Sequence, residues 1–146
     1  MEPGFFVRNY TETDFPEMIM LWEALGLGGA HRGDDSQVIA RTLQMGGQLL
    51  LLVEQVSGKI IGTSWLTVDG RRTYIHHFGI HSQYQGRGLA KVLLNASLKL
   101  AKTFGMQIKL EVHKDNAKAI SLYAKSGFVS LGDYQVYIIR DISAIY

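Results

Sequence analysis

The sequence predicts an α/β or α+β domain, a mixed sheet of about seven strands with about four helices. Three observations predict it. Short runs rich in β-branched and aliphatic residues, bounded by turn residues, fill much of the first half. A long amphipathic helix, Gly88 to Phe104, lies between two strand-like runs, which demands a crossover and hence a parallel pair. The length of 146 residues suits one domain over residues 1–146, large enough to bury roughly two-thirds of the surface its unfolded chain exposes.

In chain order, Phe5 to Arg8 reads as a strand. Thr13 or Asp14 can cap a helix running to about Leu25, with apolar positions at Phe15, Met18, Ile19 and Trp22. The glycine-rich segment Gly26 to Gly33 breaks it, and Asp34 or Asp35 restarts a helix toward Met45. Leu49 to Glu54 and Ile60 to Val68 form a hairpin about Ser57-Gly58, and Thr73 to Ile80 follows the Asp69-Gly70 turn. The long helix carries stripes at Leu89, Leu93, Ala96, Leu100 and at Ala90, Leu94, Ser97, Ala101, and Gly105 stops it. Gln107 to Val112 alternates as a strand. Asp115 can cap a last helix reaching Ser126, ended by Gly127. Phe128 to Leu131 and Tyr134 to Arg140 read as the final two strands.

Composition narrows the function classes. Hydrophobic residues make up 47% and charged residues 19%, which argues against disorder. The longest aliphatic run, Leu49 to Val53, falls far short of the roughly 18 residues of a membrane span, and Glu2 followed by no long apolar core argues against a secretory signal. The absence of cysteine excludes disulfides, thiolate metal sites and cysteine nucleophiles, and fits a cytoplasmic location. A net charge of +2 is too small to indicate nucleic-acid binding. No metal site, nucleic-acid partner or membrane partner is expected.

Two constellations carry chemistry. Gln83-Tyr84-Gln85-Gly86-Arg87-Gly88-Leu89-Ala90 joins a strand to the long helix. Its glycines permit close backbone approach, the first helical turn has N–H groups without internal partners, and Arg87 and Lys91 add positive charge. Such a turn can cradle a pyrophosphate. Neither the Walker A pattern nor the three-glycine dinucleotide pattern is present. The ordinary alternative is a tight turn with an exposed arginine. Further on, Asn116, Ala119, Ile120 and Tyr123 share one helical face, ahead of Gly127-Phe128. Asn116 can bond an amide-bearing ligand and Tyr123 offers a hydroxyl. Taken singly, these residues also suit a helix-start asparagine and a core tyrosine.

In this order, separated by a helix and a strand, the segments resemble the GNAT superfamily of acetyl-CoA-dependent N-acetyltransferases. The resemblance covers roughly Thr73 to Arg140. Gln83-x-x-Gly86-x-Gly88 is similar to the family's pyrophosphate motif, and Asn116 through Tyr123 with Gly127-Phe128 to its later motif. Leu110-Glu111-Val112 ahead of Asn116 and Tyr123 looks most like bacterial ribosomal-protein N-terminal alanine acetyltransferases. The resemblance implies a mostly antiparallel seven-stranded sheet with a central splayed parallel pair, and acetyl-CoA as cosubstrate wedged between Phe78 to Ile80 and Gln107 to Val112. Backbone groups of Phe78 and Ile80 would pair with the pantetheine arm. The N–H groups from Gly86 to Lys91, through Arg87, Gly88, Leu89 and Ala90, would surround the pyrophosphate, with Gln85 and Gly79 in the same binding set. Asn116 would contact the pantetheine side, Tyr123 would give a proton to the sulfur, and Glu111 would accept one. The sequence departs from the family where Ser82 stands for a common proline, and where His76 and His77 stand among frequent acidic residues.

The implied reaction is direct attack by an amine on the thioester. The amine must be neutral to attack, and a free lysine, with a pKa near 10.4, is neutral only about once in a thousand near pH 7.4. A base is therefore expected: Glu111, unless it only pairs with Lys109, or one of His76 and His77, which should point to opposite faces of their strand. A backbone N–H at Phe78 or Gly79 could stabilise the oxyanion, and Gly79 suits a bulge. The acceptor should enter over the first two helices, where Trp22, His31 and Arg32 are candidates for its lining and Asp34 and Asp35 form either a cation-attracting or a helix-capping pair. The acceptor stays open between a small-molecule amine and a protein or peptide amine, with a homodimer possible. Alternative readings are an N-terminal acetyltransferase of ribosomal proteins or peptides, a non-catalytic acetyl-CoA sensor, and a nucleotide-binding domain.

Overall fold

The computed structural model describes residues 4–28 and 32–145. Two compact units divide the chain, the first ending at Glu111 and the second beginning at Val112.

The first unit is one five-stranded sheet, with β1 (Phe5–Asn9), β2 (Gln48–Glu54), β3 (Ile60–Val68), β4 (Arg72–Ile80) and β5 (Gln107–Leu110) in that spatial order. The first four pair antiparallel and β5 joins β4 in parallel. The leucine run of β2 explains the layering. Leu49, Leu51 and Val53 face α1 (Phe15–Leu25) and α2 (Ser36–Gln44), packing with Met18, Trp22 and Ile39. Leu50 and Leu52 face α3 (Leu89–Phe104), packing with Phe5, Leu89 and Leu93. A strand covered on both faces reads as a continuous apolar run, because neither side alternates to polar.

Local signals set the helix ends. Asp14 precedes α1, but its carboxylate is held by the Arg8 guanidinium at 2.8 and 2.9 Å and by the Thr11 N–H at 2.8 Å. That charge-assisted pair holds Asp14 below the usual carboxylate range. Gly26 ends α1 in the left-handed region. Asp35 caps α2, its carboxylate accepting the Val38 N–H at 2.9 Å, which frees Asp34 from that duty. The β4–β5 ladder runs only from Arg72–Gln107 to Ile75–Leu110. The strand expected to reach Val112 therefore ends at Leu110, just before β4 begins to bulge and turn away.

The second unit contains α4 (Ala117–Lys125). Asn116, not Asp115, caps it, accepting the Ala119 N–H at 3.2 Å. Gly127 takes φ +101°, and the Phe128 N–H reaches back to the Tyr123 carbonyl at 3.0 Å, closing the helix in a Schellman motif. The runs Phe128 to Leu131 and Tyr134 to Arg140 do not form strands. Among the described residues the sheet has five strands rather than seven. Val129, Leu131, Tyr134, Val136 and Ile138 are all exposed there. Strand-like composition states a preference for a half-buried pleated surface, but a strand exists only where a ladder partner is found. Among the described residues no helix is long and apolar enough to cross a membrane.

Gly47, at the junction of α2 and β2, is a packing glycine: a Cβ there would lie 2.5 Å from the Leu66 carbonyl oxygen and 2.9 Å from that of Thr42. Both obstacles are backbone. Gly47→Ala should therefore cost about 1–3 kcal/mol, lowering the thermal midpoint by roughly 2–4 °C per kcal/mol. Calorimetry checks this, and an unchanged midpoint would show that the junction relaxes freely.

Candidate active site

The pairing of β3 with β4 places Trp65 opposite His76 and Thr63 opposite Gly79. One residue of β3, Ser64, thus faces two of β4, His77 and Phe78. This is a β-bulge, and His77 sits in it with φ +47°. A left-handed histidine carries a conformational cost, so the surroundings must hold it. Thr63 does so: its hydroxyl donates to the His77 carbonyl at 2.6 Å and accepts the Trp22 indole N–H at 2.9 Å. The Trp22 ring meets the His77 ring edge-on at 4.5 Å.

The bulge corrects two expectations. His76 and His77 do not point to opposite faces, because the extra residue turns both onto the α1/α2 side. Nor does the bulge fall on Gly79, which keeps regular pairing with Thr63. Its missing side chain instead makes room for α1 and the residue pair that follows its core, since a Cβ would lie 3.0 Å from the Leu27 methyl and 3.2 Å from that of Leu25.

Both histidines line an open cavity of about 230 Å³ together with Asp34, Val38, Thr42, Trp65 and Thr67. His77 Nε2 lies 2.7 Å from Asp34 Oδ2, with side chains 15% and 23% exposed, shielded yet reachable. Of the two aspartates before α2, one caps the helix and the other holds a histidine. His76 Nε2 meets the Thr67 hydroxyl at 2.8 Å. Crowding of its ring lowers the His76 pKa through desolvation and, next, through the neighbouring His77, while Asp34 and Glu111 pull the other way. The Thr42 hydroxyl donates to the Ile39 carbonyl and accepts the Trp65 indole N–H at 3.0 Å.

The other end of β4 leads into the glycine turn. Gly86 and Gly88 adopt φ +80° and +77° with no atom within 4 Å of where a Cβ would stand, so they serve the turn's path, and the space in front of it is open. Gly88 provides no side-chain cap to α3. The first intrahelical bond is from the Val92 N–H to the Gly88 carbonyl, which leaves the N–H groups of Leu89, Ala90 and Lys91 without intrahelical acceptors. The Gln85 side-chain amide donates to the Ile80 carbonyl at 2.9 Å, tying the turn to the strand. The Arg87 guanidinium lies 4.9 Å above the Phe5 ring and 5.8 Å from that of Tyr84. An open turn with oriented N–H groups and two cations fits a diphosphate. Phe78 packs on the α3 side with Ile80 and Leu89.

The remaining candidates separate. Glu111 lies one residue beyond β5 and is exposed. Asn116 spends its carbonyl oxygen as a helix cap. Tyr123 is buried, its ring edge-on to Phe128 at 5.6 Å, and burial pushes its hydroxyl up to about 12. Trp22 is core behind His77 rather than cavity lining. Arg32 packs beside Gly28, where a Cβ would touch both Arg32 and the His77 ring. His31 lies outside the described residues. Asp34 as a histidine partner, Trp65 and Thr67 were missed by sequence reasoning. The available signal was a doublet of aspartates where one cap suffices. Among the described residues no three His, Asp or Glu side chains gather as a metal site.

The sequence model of the Acetyltransferase (GNAT) family matches residues 14–128. Solved structures share the fold at low identity. Glucosamine-6-phosphate N-acetyltransferase from Arabidopsis thaliana is 19% identical, with a TM-score of 0.76 over 94% of this chain and 99% of that one. The ribosomal-protein-S18-alanine N-acetyltransferase from Escherichia coli is 20% identical, with a TM-score of 0.70 over 84% of this chain and 76% of that one. A GNAT family acetyltransferase from Elizabethkingia anophelis with acetyl-CoA bound is 21% identical, with a TM-score of 0.66 over 88% of this chain and 78% of that one.

Thr63→Val should remove the acceptor of a buried indole N–H and the donor to the His77 carbonyl together. The expected loss is about 1–3 kcal/mol, read as a lower urea midpoint at unchanged m-value. An unaltered midpoint would mean that Thr63 does not hold the bulge.

Proposed function

From the chain's membership of the GNAT acetyltransferase family, which makes it an acyltransferase that uses acetyl-CoA, we propose that it moves the acetyl group to a primary amine by direct attack in a ternary complex. The observation that carries this reading is the family match together with the open glycine turn at the start of α3. In this reading residues 1–146 work as one acetyltransferase domain. The N–H groups from Gly86 to Lys91 take the diphosphate, supported by the positive end of the α3 dipole and by Arg87 and Lys91. Gln85 keeps the turn against the strand. The β4 backbone from Phe78 through Gly79 to Ile80 takes the pantetheine arm as an added strand would, beyond the point where the β5 ladder stops. Asn116 keeps its amide N–H groups available for the same arm while its oxygen caps α4.

The chemistry needs a neutral amine, a stabilised oxyanion and a hydrogen-bond donor for the leaving sulfur. A β4 backbone N–H supplies the second. Tyr123 supplies the third: with its hydroxyl held near 12 it stays protonated throughout the neutral range and meets the leaving thiolate with a hydrogen bond, full proton transfer to a thiol of ordinary pKa near 8.5 being uphill. His77 or Glu111 receives the amine proton. The acceptor is a small-molecule amine, as for the glucosamine-6-phosphate enzyme of Arabidopsis thaliana, or a protein amine, as for the ribosomal-protein enzyme of Escherichia coli, and the assay panel holds both classes.

The test is thiol release from acetyl-CoA across a panel of amines. Release that depends on the amine supports the reading, and binding of acetyl-CoA with no transfer to any amine would contradict it. Within active reactions, Tyr123→Phe should lower kcat by on the order of 10²-fold with acetyl-CoA affinity little changed. An unchanged kcat would remove Tyr123 from the chemistry.

A further inference from the structure

We propose that the cavity beneath α2 holds the acceptor amine through a compact apolar group, and that His77, oriented by Asp34, takes the amine's proton. This rests on the acetyl-transfer reading above and names the base and acceptor class for it. Three features meet at His77. A bulge carries it onto the cavity side, a left-handed backbone held by Thr63 aims it, and a carboxylate fixes its ring.

The ring's orientation decides which nitrogen works. The Asp34 carboxylate only accepts, so His77 Nε2 carries the hydrogen in the neutral ring and Nδ1 carries the lone pair. Among the described residues no hydrogen bond occupies Nδ1. The amine nitrogen attacks the thioester carbon, forming the C–N bond. The C–S bond breaks with its electron pair going to sulfur, and the ammonium proton passes to His77 Nδ1. The imidazolium so formed is paired with Asp34, and solvent later removes the proton. His77 is the catalytic residue and Asp34 the positioning residue. The charged groups around the ring are Asp34 before α2, His76 beside it on β4 and Arg32 across Gly28, with Glu111 after β5 acting on His76.

The acceptor class follows from how the cavity spends its polar groups. Thr42 is bonded to Ile39 and Trp65, Thr67 to His76, and Asp34 to His77. Among the described residues a ligand therefore meets Val38 and the Trp65 ring, with few unengaged polar partners for a hydroxyl-rich body. A hydroxylated amine would have to compete with these bonds or keep its hydroxyls in water, gaining less from the cavity than an apolar body does.

The experiment follows thiol release with 2-phenylethylamine and with glucosamine, and the pH dependence of kcat between about pH 5.5 and 8.5, which spans histidine titration. 2-Phenylethylamine should exceed glucosamine in kcat/KM by about tenfold or more. His77→Gln should lower kcat by on the order of 10²-fold and abolish the acid limb. Asp34→Asn should lower kcat, because the ring loses the carboxylate that fixes its orientation. Asp34→Glu should restore part of that loss. Acetyl-CoA affinity by calorimetry should hold in all three variants, which separates catalysis from folding. A glucosamine preference, an acid limb that survives His77→Gln, or one lost only in His76→Gln would overturn the proposal while thiol release itself upheld acetyl transfer. No release with any amine would overturn both.

Discussion

A single extra residue in β4 is the constraint on which the arrangement of this molecule depends. By setting His77 and Phe78 against Ser64 alone, the bulge gives the strand two different faces on its two sides. It turns two successive histidines onto the α1/α2 side and sends Phe78 to the α3 side. It also bends the strand just past Ile75, where pairing with β5 ends. The backbone conformation that achieves this is unfavourable for a histidine. It persists because a buried threonine joins it to the indole of Trp22, a residue with no exposure at all.

From that bend, β4 connects two chemically distinct surfaces. Upstream lies a cavity in which Asp34, Thr42, Thr67 and the two histidines stand beside Val38 and the Trp65 ring. Downstream, after a 3₁₀ turn at Ser82–Tyr84, lies an open glycine turn heading a helix with oriented N–H groups. The second suits an anion. One strand therefore carries both surfaces, and the leucine run of β2, covered on both faces, anchors the sheet that holds it.

Much of this was readable from residues. The hairpin, the long helix and its glycine stops, and the parallel crossover followed from period and turn chemistry, and the family resemblance rested on two motifs that the family match spans. The rest depended on pairing. Alternation predicts opposite faces for His76 and His77, but register is a property of two strands, and a bulge shows only when both are in place. Glycine suits a bulge, yet the duty of Gly79 is to make room for two leucine methyls. The aspartate doublet looked like a shared cap because capping is local, whereas the bond from Asp34 to His77 spans 43 positions. Phe128 to Arg140 has strand composition without a described ladder, since composition does not supply a partner.

The most direct test of the account is an amide-resolved NMR titration with coenzyme A. The account predicts that the largest shifts fall on the N–H groups of Gly86 to Lys91 and on β4 from Phe78 to Ile80. Saturable binding that leaves both segments unmoved would contradict it.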